Sequence, residues 1–148
     1  MRTEELMQND WVRLEKAPIF CKVRSIMEGG HILGETGSCG HFDQLASRLV
    51  LIDLTQDTIL CTTFWMKSKG IFKKTVRGVA AFTYDISSRL LTVINYDTNT
   101  TNVHRITFMH ELQQQYRHYT CQELEVNMQY SKRKEYSKRY NDKKRSEV

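Results

Sequence analysis

A chain of 148 residues, 40% hydrophobic and 26% charged, fits one domain or two small units on a shared core, and can bury roughly 68–70% of its unfolded surface. No run approaches the roughly 20 apolar residues of a membrane span. The opening MRTEELMQND lacks the apolar core of a signal peptide, which argues against export by that route and for a location inside the cell.

Four cysteines, Cys21, Cys39, Cys61 and Cys121, stand far apart with no CxxC pair, so reduced and mostly buried thiols are expected. The net charge is +5. The segment 127–148 holds Lys132, Arg133, Lys134, Lys138, Arg139, Lys143, Lys144 and Arg145 against only Glu135, Asp142 and Glu147. That segment alone accounts for the excess, and residues 1–126 are net neutral.

In chain order, Trp11 to Glu15 alternates and reads as a strand, and Pro18 turns the chain. Residues 19–27 form a second strand with Phe20, Val23 and Ile26 as core positions. Gly29-Gly30 signals a hairpin, His31-Ile32-Leu33 restarts an extended segment, and the glycine-rich residues 34–43 read as a loop. Arg48 to Ile52 has the length and composition of a buried strand. Thr55 caps a helix expected to run to about Phe64, with Asp57 at its positive end, and Lys67-Ser68-Lys69-Gly70 ends it. Strands are expected over 72–77, extending through 79–84, and then over 90–96 and 103–107. Leu90, Leu91, Val93 and Ile94 are apolar on both faces, which suits a central strand. The Asn99-Thr100-Thr101 sequon reads as a polar turn.

From Phe108 the period changes from two to a helical one. Phe108, Leu112, Tyr116 and Tyr119 form one stripe, and His110, Gln114, Arg117 and His118 lie opposite. Those four can offer donors to a phosphate or to a carboxylate of a protein partner, or they are simply a solvated polar face. His110-Glu111 begins as HExxH does, but Gln114 stands where the second histidine belongs, so the zinc-protease reading fails. His104 is expected as a core or rim histidine. Cys39 and His41 share a loop, too few for a structural zinc site without a second close pair. No metal and no cofactor is expected. In the tail, the basic residues named above interleave with Tyr136 and Tyr140, a pattern that can neutralise phosphates and stack on bases; a solubilising extension or a docked helix is the alternative.

Asn9-Asp10-Trp11-Val12, then Leu54-Thr55 and Phe64, then His110-Glu111-Leu112-Gln113 with Tyr116, Thr120, Glu123 and Leu124 follow in an order that resembles a family of small proteins of phages, prophages and mobile elements of gut anaerobic bacteria. The resemblance covers most of residues 5–126. Gln8-Asn9 stands where that family usually has Gly before Asn or Asp, Cys121 where it tends to have Gly, and Asp53 where a proline is common. The family carries no established activity, so the resemblance implies fold, genomic context and a bacterial host cytoplasm rather than chemistry.

The expected architecture is α+β: a small β-barrel-like (SH3-like) sheet unit in residues 1–53, then a helix, antiparallel strands and a packed C-terminal helix in 54–126 on a shared core, then the basic tail. The expected role is a non-enzymatic accessory protein that binds a protein partner or itself. A nucleic-acid-binding module using the tail is the alternative, and an enzyme is the third.

Overall fold

The structure, a computed structural model, describes residues 6–15, 19–36, 41–45 and 48–127. Two five-stranded antiparallel sheets account for most of it, in an α+β arrangement. The first contains β1 (Trp11–Leu14), β2 (Phe20–Ile26), β3 (His31–Thr36), β4 (His41–Leu45) and β5 (Leu49–Leu51), in the order β4-β3-β2-β1-β5. Among the described residues this sheet is open: β4 and β5 are its edges, and no pairing joins them. The second contains β6 (Trp65–Ser68), β7 (Ile71–Val76), β8 (Ala80–Asp85), β9 (Leu90–Asn95) and β10 (Thr100–Arg105), a simple meander in chain order. One helical turn, α1 (Gln56–Ile59), links the sheets, and the longer helix α2 (Met109–Thr120) follows β10.

Strand β1 explains why the two sheets do not separate. Alternate residues of a strand face opposite sides. Here Val12 enters a small cluster with Leu6, Cys21, Val23, Ile32 and Leu49, while Trp11 joins the larger core of the second sheet and α2. Both faces of this short strand are therefore buried. Ile52 and Leu54 extend the larger core from the first sheet's last strand. Backbone bonds fasten the same segment to the start of α2, from Leu54 N–H to the Thr107 carbonyl at 2.9 Å and from Met109 N–H to the Ile52 carbonyl at 2.8 Å.

Several expected elements have different bounds, each for a local reason. The register of β2 against β3 slips at Arg24, a bulge. One added residue reverses the in-and-out alternation and sets Ile26, paired with Ile32, on the face of buried Val23; yet as the last residue of β2 it lies outside the small cluster and is exposed, contrary to its core assignment. Residues 34–43, read as a loop, supply the end of β3 and the start of β4, paired from Glu35↔His41 to His31↔Leu45.

Helix α1 stops after one turn. The Thr55 hydroxyl accepts from Thr58 N–H, as a cap should, but Thr62 Oγ1 donates to the Ile59 carbonyl at 2.7 Å and accepts from Phe64 N–H at 3.1 Å. Such side-chain bonds compete with helix propagation, so residues expected to end a helix become β6 instead. The strand expected to run through 72–84 divides at Val76–Val79, where Val79 N–H reaches the Val76 carbonyl and Gly78 has φ +76°. That conformation favours glycine, which has no side chain to strain there. In β9, Leu91 and Val93 are buried, but Ile94 is exposed; the strand is central in its sheet yet covered on one face only. Cys21 and Cys61 are buried and Cys121 is exposed. No described helix is long and apolar enough to cross a membrane.

Candidate functional site

Helix α2 begins where Glu111 turns back on its own first turn, its Oε1 accepting from Phe108 N–H at 3.0 Å and Thr107 N–H at 3.1 Å. This is half of a capping box and satisfies two donors that the helix cannot. The buried face then comprises Met109, Leu112, Gln113, Tyr116 and Thr120. It is rotated from the expected Phe108–Leu112–Tyr116–Tyr119 stripe, because Tyr119 lies at the rim, where its hydroxyl meets His104 Nε2 at 2.6 Å. The rim placement of His104 agrees with the sequence reading.

The opposite face is not the solvated surface that the spacing suggested. Its residues meet the turn at Met7–Asp10. There Asp10 N–H bonds the Met7 carbonyl, Asn9 has φ 75°, and the Asp10 carboxylate, fully buried, accepts from Met7 N–H at 2.8 Å. Gln114 Nε2 donates to the same carboxylate at 2.9 Å, and the Arg117 guanidinium approaches its other oxygen at 3.4 Å. Arg117 also donates to the Gln8 carbonyl and makes a two-bond pair with Glu123, at 2.7 and 3.0 Å. Beside them Gln113 accepts from Trp11 N–H at 3.0 Å and donates to the Asn9 carbonyl at 2.9 Å. Of the four residues assigned to a polar face, His110 is 4% exposed, Gln114 and Arg117 are half-buried, and His118 alone is exposed. The donors of Gln114 and Arg117 act within the chain, because the buried backbone and carboxylate of residues 8–11 need them.

The charges respond to this packing. Burial pushes the Asp10 carboxyl above its ordinary range, although bonds from Gln114 and Met7 and the charge of Arg117 oppose the shift. The Arg117 bond holds Glu123 below its ordinary range, and the pair raises Arg117 in turn. The His110 ring stacks on Phe108, with centroids 6.0 Å apart, and an open pocket of about 400 Å³ is lined by Phe108, His110, Glu111 and Gln114. Glu111 in this pocket is committed to the helix cap. Among the described residues no group of three or more His, Cys, Asp or Glu side chains is placed to hold a metal. Cys39 and the basic tail residues Lys132, Arg133, Lys134, Tyr136, Lys138, Arg139, Tyr140, Lys143, Lys144 and Arg145 lie outside the described residues, and so does the side chain of His41.

A second surface emerges from the strand registers. On the outer face of the second sheet, Trp65, Lys73, Thr83, Thr92 and Val103 form one row across all five strands. Thr75, Ala81, Ile94 and Thr101 form the next. None of these residues is buried, and Trp65, Ile94 and Val103 are 52%, 41% and 58% exposed. Lys67, at the β6 bulge, stands close enough to Lys73 to depress the pKa of the Lys73 ammonium. Between Asp57 and Asp85 the chain has five basic residues, Lys67, Lys69, Lys73, Lys74 and Arg77, and no acid. The remainder of residues 1–126 carries five more acids than bases. Neutrality over 1–126 thus hides a strong sorting of charge, which a running count along the chain reveals and a total does not.

No family model, no curated protein and no solved structure matches the chain.

Proposed function

We propose that this protein is a non-enzymatic accessory module of a phage or mobile element, acting in the host cytoplasm by binding, and that its main ligand is nucleic acid. The carrying observation is the acid-free basic stretch 58–84, of which Lys73 lies on the open outer face of the second sheet with Lys67 beside it at the β6 bulge, while Lys74 turns to the other face over the Tyr116 ring. The basic tail adds eight more cations to the same chain. Together they suit a polyanion whose phosphates they neutralise with release of counterions. The genomic setting rests on the resemblance, whose one moderately specific segment, His110-Glu111-Leu112-Gln113, meets Asn9 and Trp11 through Gln113. An SH3-like relationship of residues 1–53 belongs to the same proposal; its support is the strand order, with the last strand returning beside the first.

Fluorescence anisotropy with a labelled oligonucleotide tests the ligand. Affinity is expected to fall by at least about tenfold between 50 and 200 mM salt. Deleting residues 127–148 should remove most of the binding, and K67E together with K73E should remove much of the rest. Binding that ignores salt, or survives both changes intact, would end the nucleic-acid reading. A protein partner is the second reading, favoured by exposed Ile94 and Val103 at the far side of the sheet from the lysines. It would be supported if I94S and V103S abolished a defined complex that the charge reversals left alone.

A further inference from the structure

The proposed function leaves open which form of nucleic acid is bound, and Trp65 bears on that. It sits on the edge strand β6, half exposed, directly opposite Lys73 and two residues from Lys67. A large aromatic ring left in water on a strand costs hydrophobic free energy that burial would recover. The chain's other tryptophan, Trp11, is buried in the core. Beyond Lys73 the row continues through Thr83 and Thr92, short side chains that leave the sheet surface low and carry hydroxyls. The parallel row of Thr75, Ala81 and Thr101 is equally low, apart from Ile94.

We infer that the outer face of the second sheet is a single-strand binding platform, on which Trp65 stacks against an unpaired base while Lys67 and Lys73 hold the flanking phosphates. The inference rests on the nucleic-acid reading and narrows it. An aromatic ring accepts the flat face of any base, and flanking cations follow the backbone, which is the general chemistry of sequence-tolerant single-strand binding. Bases of a duplex are stacked on one another and cannot present that face to a sheet.

The probes are dT20, rU20 and a DNA hairpin duplex of matched charge, titrated against the full-length chain at low salt with two readouts, anisotropy and tryptophan emission. Either single strand should bind at least about tenfold more tightly than the duplex and quench tryptophan emission; which of the two binds better identifies DNA or RNA as the source. W65A should weaken single-strand binding by about tenfold, on the scale of one stacked base, and leave duplex binding unchanged. W65F should retain most of the affinity while the quench disappears. Trp65 is exposed, so both variants should keep the wild-type melting temperature. Salt-dependent binding with no quench, no preference for single strands or no effect of W65A overturns the platform and leaves the nucleic-acid reading standing. Absence of binding to all three probes overturns both.

Discussion

Gln113 shows how much a single amide can organise. Its two ends satisfy the Asn9 carbonyl and the Trp11 N–H, backbone groups that flank a buried carboxylate. Replacing it with Ala is expected to cost about 1–3 kcal/mol for each buried group left without its partner, measured by urea unfolding. Asp10 gives a pH signature. Its carboxyl is raised by burial, so the folded state keeps this proton at pH values where the unfolded chain has lost it. The contribution of Asp10 to stability is then greatest below the ordinary carboxylate range, falls as pH rises through the raised folded value, and levels off above it. Glu123, held down by Arg117, has the opposite sense: its contribution is present above the unfolded value and is lost as pH falls through the folded one. The stability of D10N relative to wild type should therefore improve between pH 3 and pH 7 in a series of urea titrations. A decline over that range would show that the Arg117 pair outweighs the burial of Asp10.

Helix α2 tests the packing argument at the scale of an element. Leu112 is fully buried among Met109, Tyr116 and the second sheet, and L112A is expected to cost about 2–5 kcal/mol; a melting temperature unchanged from wild type would place that face of the helix elsewhere. The helix ends at Cys121, whose φ of 56° lies in the left-handed region. A side chain there costs roughly 1 kcal/mol relative to glycine, so C121G should raise the unfolding midpoint despite removing a side chain. This helix was the most legible element in the sequence, because twelve residues give a periodic stripe room to declare itself. Its polar face was not legible. Helical spacing places His110, Gln114 and Arg117 together, but says nothing of a turn a hundred residues earlier whose buried groups they meet. Short elements were harder for the same local reasons seen in the fold: Ile26 falls at the exposed end of its strand, and threonine hydroxyls stop α1 after one turn. The Trp65 row was invisible because it depends on cross-strand register, which no single segment encodes.

For the whole molecule, the sorting of charge is the feature with the widest reach. Residues 58–84, which hold no acid, and the segment 127–148 are basic, while the rest of the chain is acidic. Stretches of this kind attract a polyanion, and the attraction weakens with added salt. The clamp between α2 and the first turn has a different reach. It joins residues 102 and 104 positions apart, a separation that matters during synthesis. At translation rates of roughly 5–20 residues per second, the turn at Asn9 exists for on the order of 5–20 s before Gln113 is made. Within that interval the nascent first sheet can complete its own ladder, but Trp11 lacks the part of its core that α2 supplies and Asp10 has neither Gln114 nor Arg117. Helix α2 thus decides when the first strand becomes native, and a ribosome paused ahead of it would hold an unfinished amino-terminal sheet open to chaperones.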